Sequence, residues 1–266
     1  MIVATPPAAA ASAGANSFAD AATAQMERML FDFGRMYQER NQALQEVTQA
    51  HRDALLLLAR AADYRDDDTG VHIVRIGFLA WALALRLGES RAYATLLRQA
   101  APMHDIGKIG IADAVLKKPG SFTPEERMAM NRHPEIGAGI LGRSRIPLFQ
   151  LAAEAALSHH ERWQGDGYPK GLAGDAIPLA GRIVAVVDFF DALTMNRCYR
   201  PAFPDGIVLQ MMADERGRAF DPRVVDCFLA HAGEFIALRD EINRGDMGFD
   251  DLSREPPQRT AFSAFD

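Results

Sequence analysis

The stretch GRIVAVVDFFDALT, residues 181–194, is almost wholly apolar and carries a carboxylate, Asp188, between Val186-Val187 and Phe189-Phe190. It reads as a buried helix from about Ala180 to Met195, although its β-branched run Ile183–Val187 would also suit a strand. A lone carboxylate in such surroundings would be protonated or strongly destabilising. Asp188 therefore calls for an arginine (Arg182 or Arg75), a hydrogen-bond shell or a metal ion. Asp191, one helical step on, reads as a hydrogen-bonding residue rather than a ligand.

The segments on either side repeat the helical reading. One helix runs from Val71 to about Leu87, stopped by Gly88, and another starts near Ser90 and leads into His104-Asp105. Thr123-Pro124-Glu125-Glu126 is a capping box with proline at the first helical position. Further helices are expected over Pro147–Ser158, Asp205–Asp214 and Pro222–Leu238. Residues 165–174, with four glycines and a proline, read as a loop. The fold class is all-α.

Residues 1–21 are Ala-rich and read as a disordered tail. From about Ala22 to residue 60 a helix carries Leu30, Phe33, Tyr37, Arg40, Leu44, Val47, His51, Ala54, Leu58 and Ala61 in steps of three and four. That spacing aligns a seam for a partner helix, with Arg40 and His51 as polar interruptions that fix register. Either the seam forms a homodimer or the helix folds onto its own domain. The main domain is expected over 61–240, followed by a polar tail, 241–266.

Hydrophobic residues at 48% and charged residues at 24% match an ordinary globular protein. A net charge of -6 argues against a partner that is a nucleic-acid polymer. It leaves room for an anionic substrate, because bound cations reverse the field locally. Cys198 and Cys227 lie far apart, as expected of a reducing cytoplasm. The N-terminus lacks the basic start and leucine-rich core of a signal peptide, and no stretch reaches the length of a membrane span. A cytoplasmic location is expected.

Of seven histidines, five lie among acidic and apolar neighbours: His72, His104, His133, His159 and His160. With Asp105 and Asp188 they form a nitrogen-and-carboxylate set suited to more than one divalent ion. Asp105 is the natural bridge, since a carboxylate offers two oxygens and a neutral imidazole one nitrogen. The order of these residues, with the strings RDDDTGVHIVR (65–75), HDIGKIGI (104–111), HPEIGAGIL (133–141), HHERWQGDGYPKGL (159–172), RIVAVVDFFDALTMNRCYR (182–200) and FDP (220–222), closely resembles the HD-GYP family within the HD superfamily of metal-dependent phosphohydrolases.

That resemblance implies an HD-domain helical bundle hydrolysing cyclic di-GMP to the linear dinucleotide pGpG, with a second cleavage to GMP only if the linear product rebinds. It makes His72, His104, Asp105 and Asp188 ligands of one ion, and Asp105, His133, His159 and His160 ligands of a second. It sets Lys108 against the scissile phosphate and Tyr168, Arg197 and Arg200 against the dinucleotide. Asp68 stands where some members carry a glutamate binding a third ion. The ions implied are iron or manganese, with zinc, nickel or magnesium as alternatives. Two such ions lower the pKa of a water between them. Gln164, Asp166 and Cys198 depart from the usual pattern and put loop conformation and substrate affinity in question. The competing readings are a slow cyclic di-GMP receptor signalling through its N-terminal helix, and a hydrolase of another nucleotide. A regulatory protein partner would fit either role.

Overall fold

A computed structural model describes residues 10–66, 70–196 and 201–253, with side chains from residue 20 onward apart from those of 63 and 66. Asp68, Arg197, Cys198 and Arg200 lie outside the described residues. The chain divides into two units, Met1–His51 and Arg52–Asp266.

Helix α1 spans Ala10–Asp63. It starts inside the stretch expected to be disordered, because alanine has the highest intrinsic helix propensity and no breaker follows Pro7 until Gly14. Its seam positions Leu30, Phe33, Tyr37, Leu44 and Val47 are all exposed, as are Met26, Met29, Phe31 and Met36 beside them.

In the second unit follow α2 (Val71–Arg86), α3 (Arg91–Ala100), α4 (Asp113–Leu116), α5 (Pro124–Met130), α6 (His133–Leu141), α7 (Pro147–Ser158), α8 (Leu179–Thr194), α9 (Asp205–Asp214), α10 (Pro222–Ala230) and α11 (Ala232–Asn243). Among the described residues no strand forms, and the β-branched run Ile183–Val187 lies within α8. The expected caps are in place. Ser90 Oγ accepts from the Tyr93 amide at 3.2 Å. Thr123 and Glu126 exchange both bonds of the capping box, at 2.7 and 3.3 Å. Asp221, in the FDP string, accepts from the Arg223 amide at the start of α10 and from Arg182, each within 2.8 Å.

Helix α2 is buried on nearly every side from His72 to Ala84 and packs on α3, α8 and α11. Helix α7 packs on α3, α6 and α8. These packings bring the start of α2, the end of α7 and the middle of α8 to one place.

Two expectations are corrected. Pro222–Leu238 is not one helix: it breaks at His231, whose φ of -117° and ψ of 21° leave the helical region while its ring bonds the Cys227 carbonyl. The tail expected from 241 is structured as far as residue 253, because Met247 and Leu252 are buried and Phe249 packs against the core. Leu252 fills the space a side chain on Gly77 would need: a Cβ there would stand 2.5 Å from Leu252 Cδ2. We expect Leu252→Ala to destabilise the folded chain by about 2–5 kcal/mol in urea titrations, as for other buried leucines. A change within experimental error would mean the segment is not part of the core.

Candidate metal centre

The site is assembled from helix ends. His72 lies in the first turn of α2, and His104 and Asp105 follow the 3-10 turn Ala101–Met103. His133 opens α6, His159 and His160 follow α7, and Asp188 is in the middle of α8. The turn Ile106–Gly110 lies against the start of α6 so closely that a Cβ on Gly107 would stand 1.8 Å from the His133 carbonyl. Only glycine permits that approach, and it brings Asp105 Oδ1 to 3.2 Å from His133 Nε2.

The imidazoles are oriented by their Nδ1 atoms. Those of His104, His133 and His159 lie 2.9, 2.8 and 3.0 Å from the carbonyls of Ala101, Met130 and Ala156. A carbonyl only accepts, so each Nδ1 carries a proton and each Nε2 is the nitrogen turned toward the cluster. His72 Nδ1 donates instead to Asp191 Oδ2 at 2.7 Å, and Asp191 also holds the guanidinium of Arg75, with Nη2 at 3.0 Å. Asp191 is thus the hydrogen-bonding residue expected of it.

The Nε2 atoms converge on the two acids. Asp105 Oδ2 is 3.4 Å from His104 Nε2, and Asp105 Oδ1 is 3.6 Å from His159 Nε2. Asp188 Oδ1 is 3.8 Å from both His72 Nε2 and His104 Nε2. Arg75 is engaged by Asp191, and Arg182 by Asp175 and Asp221 at 3.0 and 2.7 Å, so neither arginine forms the ion pair considered for Asp188. Two groups could hold a divalent ion: Asp105, His133, His159 and His160, and His72, His104 and Asp188. His104 Nε2 and Asp105 Oδ1 are buried with no hydrogen-bond partner, a costly state that an ion would relieve. The donor set fits.

Burial opposes charge throughout the cluster, and local partners decide the outcome. His104, which burial alone would make less basic, is raised to about 9 by Asp105. His72 is raised against burial by its bond to Asp191. Burial lowers His159, and lowers His160 well below the ordinary range with help from His159. Asp105 is held well below its ordinary value despite burial by Lys108 and His104. The Lys108 ammonium lies 2.8 Å from Asp105 Oδ2.

The GYP segment folds back on this cluster. The Tyr168 amide bonds the His160 carbonyl at 3.2 Å, and the Tyr168 ring stacks on His160 with centroids 4.7 Å apart. A Cβ on Gly167 would stand 2.3 Å from the Arg162 amide nitrogen, which explains glycine there. Burial pushes the Tyr168 phenol up, so it remains a hydrogen-bond donor. Glu161, which the sequence reading overlooked, is buried and accepts the amides of Lys170 and Leu172 at 2.8 and 2.9 Å, tying down the loop. Its only signal was an acid directly after His159-His160, beside Arg162 and ahead of the glycine-rich loop. The unusual Gln164 and Asp166 bond each other at 2.6 Å.

The HD domain family profile matches residues 26–224. This chain belongs to the HD domain family. The HD chain is 46% identical over 187 residues to the cyclic di-GMP phosphodiesterase response regulator RpfG of Xanthomonas campestris, covering 70% of this chain and 50% of that protein. It is 45% identical over 177 residues to a cyclic di-GMP phosphodiesterase of Thermotoga maritima, covering 66% and 48%. A 3'3'-cGAMP-specific phosphodiesterase of Vibrio cholerae is 36% identical over 214 residues, covering 80% and 41%. The chain thus spans about half the length of the curated relatives it matches. A solved cyclic GMP-AMP-specific phosphodiesterase of V. cholerae shares the fold, with a TM-score of 0.56 at 20% identity over 77% of this chain and 54% of that one. Among the described residues no helix is long and apolar enough to cross a membrane.

Asp191 sets the tautomer and aim of His72, so Asp191→Ala should weaken metal binding about 10–100-fold, as loss of such outer partners does. Metal titration of the stripped protein followed by calorimetry would read this; unaltered affinity would remove His72 orientation from the account.

Proposed function

We propose that this chain is a metal-dependent phosphodiesterase opening cyclic di-GMP to pGpG, with GMP as a further product. The observation that carries the reading is two adjacent donor groups, one holding Asp105 and the other reaching it through His104 Nε2 at 3.4 Å, beside the Tyr168 loop. The names of the relatives from Xanthomonas and Thermotoga support the substrate. The cytoplasmic location expected from the sequence goes with this proposal.

In this reading His72, His104, Asp105 and Asp188 hold one divalent ion, and Asp105, His133, His159 and His160 hold another, with Asp105 shared. Iron or manganese suits nitrogen and carboxylate donors without thiolates; zinc, nickel and magnesium are the alternatives. Bound ions would supply an activated water and neutralise charge on the phosphoryl oxygens. Asp68 is the proposed contributor to a third ion. The chain's own side chains do the rest. Asp105 stays ionised because Lys108 and His104 stabilise its charge. Lys108 presents its ammonium at the edge of the cluster, placed to bond a phosphate oxygen as negative charge grows. Tyr168 offers a neutral hydroxyl and a ring face from a loop fixed by Glu161. Arg197 and Arg200 are assigned to the dinucleotide, the second phosphodiester being an anion suited to guanidinium pairing.

The similarity to a 3'3'-cGAMP-specific relative favours one second reading, a different cyclic dinucleotide as substrate. Turnover of both dinucleotides by anaerobically purified protein, with metal analysis, separates the two and exposes a mere receptor. Asp105→Ala should abolish turnover and lower metal content while leaving the helical circular dichroism intact. Lys108→Ala should keep the metal and lose about 10²-fold or more in kcat. Wild-type metal occupancy and activity in Asp105→Ala would sink the assignment.

We also propose a homodimer through residues of roughly 26–60, because the seam from Leu30 to Leu58 keeps heptad spacing and its large apolar members are exposed. A regulatory protein acting on this helix is the proposed input. Leu44→Glu combined with Val47→Glu should yield monomers by light scattering that retain metal. A wild type already monomeric at micromolar concentration would end the dimer reading.

A further inference from the structure

The turn that carries Asp105 and Lys108 is gripped by Arg65, the first residue of the 65–75 string, which has no role in the proposed mechanism. Arg65 follows the end of α1, in the 3-10 turn Tyr64–Asp66. Its Nη1 donates to the carbonyls of Ile109 and, at 3.4 Å, Lys108. Its Nη2 donates to the Ile111 carbonyl at 2.8 Å and to Asp113 Oδ1 at 2.7 Å, and its Nε to the same oxygen at 3.2 Å. One guanidinium thereby closes the C-terminal end of the turn Ile106–Gly110 and joins it to the first residue of α4.

The other end of that turn is Asp105, whose carbonyl accepts the Lys108 amide at 3.0 Å. Gly107 is pressed on the His133 carbonyl. The turn is therefore held on one side by α6 and on the other by Arg65. Arg65 is itself carried by the end of α1, where Leu55, Leu56, Ala59 and Ala62 are buried in the core.

We propose that Arg65 is a positioning residue: it fixes the backbone from which Lys108 projects, at the end of the turn away from Asp105, and ties that backbone to the end of α1. The proposal rests on the phosphodiesterase reading for its kinetic consequence but not for its structural one. Arginine is specific to the task, since its planar fork reaches three carbonyls and a carboxylate together, which a single ammonium does not.

Hydrogen exchange on the full chain tests the grip directly. In Arg65→Ala the Lys108 and Ile111 amides should exchange about tenfold faster or more, with α7 and α8 unchanged. Arg65→Lys, which keeps the charge and so guards against misfolding, should also loosen the turn. Wild-type exchange at both amides in both variants overturns the proposal, whatever the substrate. With cyclic di-GMP, Arg65→Ala should lose about tenfold in kcat at unchanged metal content. In a Lys108→Ala background the same substitution should add less than twofold, because its effect runs through Lys108. A full tenfold loss in that background, or metal lost in step with activity, would make Arg65 a general structural residue and overturn the positioning role. A wild type with no turnover would sink the phosphodiesterase reading alone and leave the exchange result to decide this one.

Discussion

Three imidazoles give their Nδ1 protons to backbone carbonyls and one to Asp191, and this fixes where their lone pairs point. A buried ring free to rotate or change tautomer would present a proton half the time and hold no ion well. Here the carbonyls belong to residues three positions before each histidine, at the places where helices end or begin. Carbonyls at helix ends commonly lack an intrahelical partner, and even the Ala101 carbonyl, which takes the His104 amide at 3.1 Å, has a second lone pair for the ring. The fold thus uses spare acceptor capacity at helix ends to orient the clustered imidazoles. Asp188, the one candidate in the middle of a long helix, is a carboxylate and needs no such tautomer control.

Asp191 shows how the same constraint is met where no carbonyl serves. Its carboxyl is held at about 2, against burial, by His72 and Arg75. Two cationic or donating partners on one buried acid form a network whose members all depend on the acid. Arg75 also reaches Asn243 Oδ1 at 3.1 Å, so the chain from His72 through Asp191 ends on the last residue of α11. The C-terminal helix thereby bears on the first candidate ligand.

Much of this was legible in the sequence because it is local. The capping box at Thr123, the stop at Gly88 and the buried run around Asp188 each announce themselves within a few residues, and the histidine motifs keep their spacing. The break at His231 was not legible, since no proline or paired glycine marks it and apolar spacing continues across it. The ordered segment to residue 253 was hidden by its polar composition: Met247, Phe249 and Leu252 are three apolar residues among many charges, and only the groove at Gly77 shows why they pack. Arg65 was read as part of a motif string, yet its partners lie more than 40 residues away and are mostly carbonyls. Backbone acceptors leave no trace in side-chain patterns. For that reason a sequence shows ligands better than what holds them.

The end of α1 brings these lines together. Residues 55, 56, 59 and 62 face the core, whereas 54, 58 and 61 continue the exposed heptad seam on another face. Successive residues turn by about 100°, so one helix can serve two interfaces without either set of residues compromising the other. A helix whose apolar residues were all needed for its own domain would show a single buried stripe at this point. The two stripes instead separate, and the buried one leads within three residues of Ala62 to Arg65 and the turn bearing Lys108.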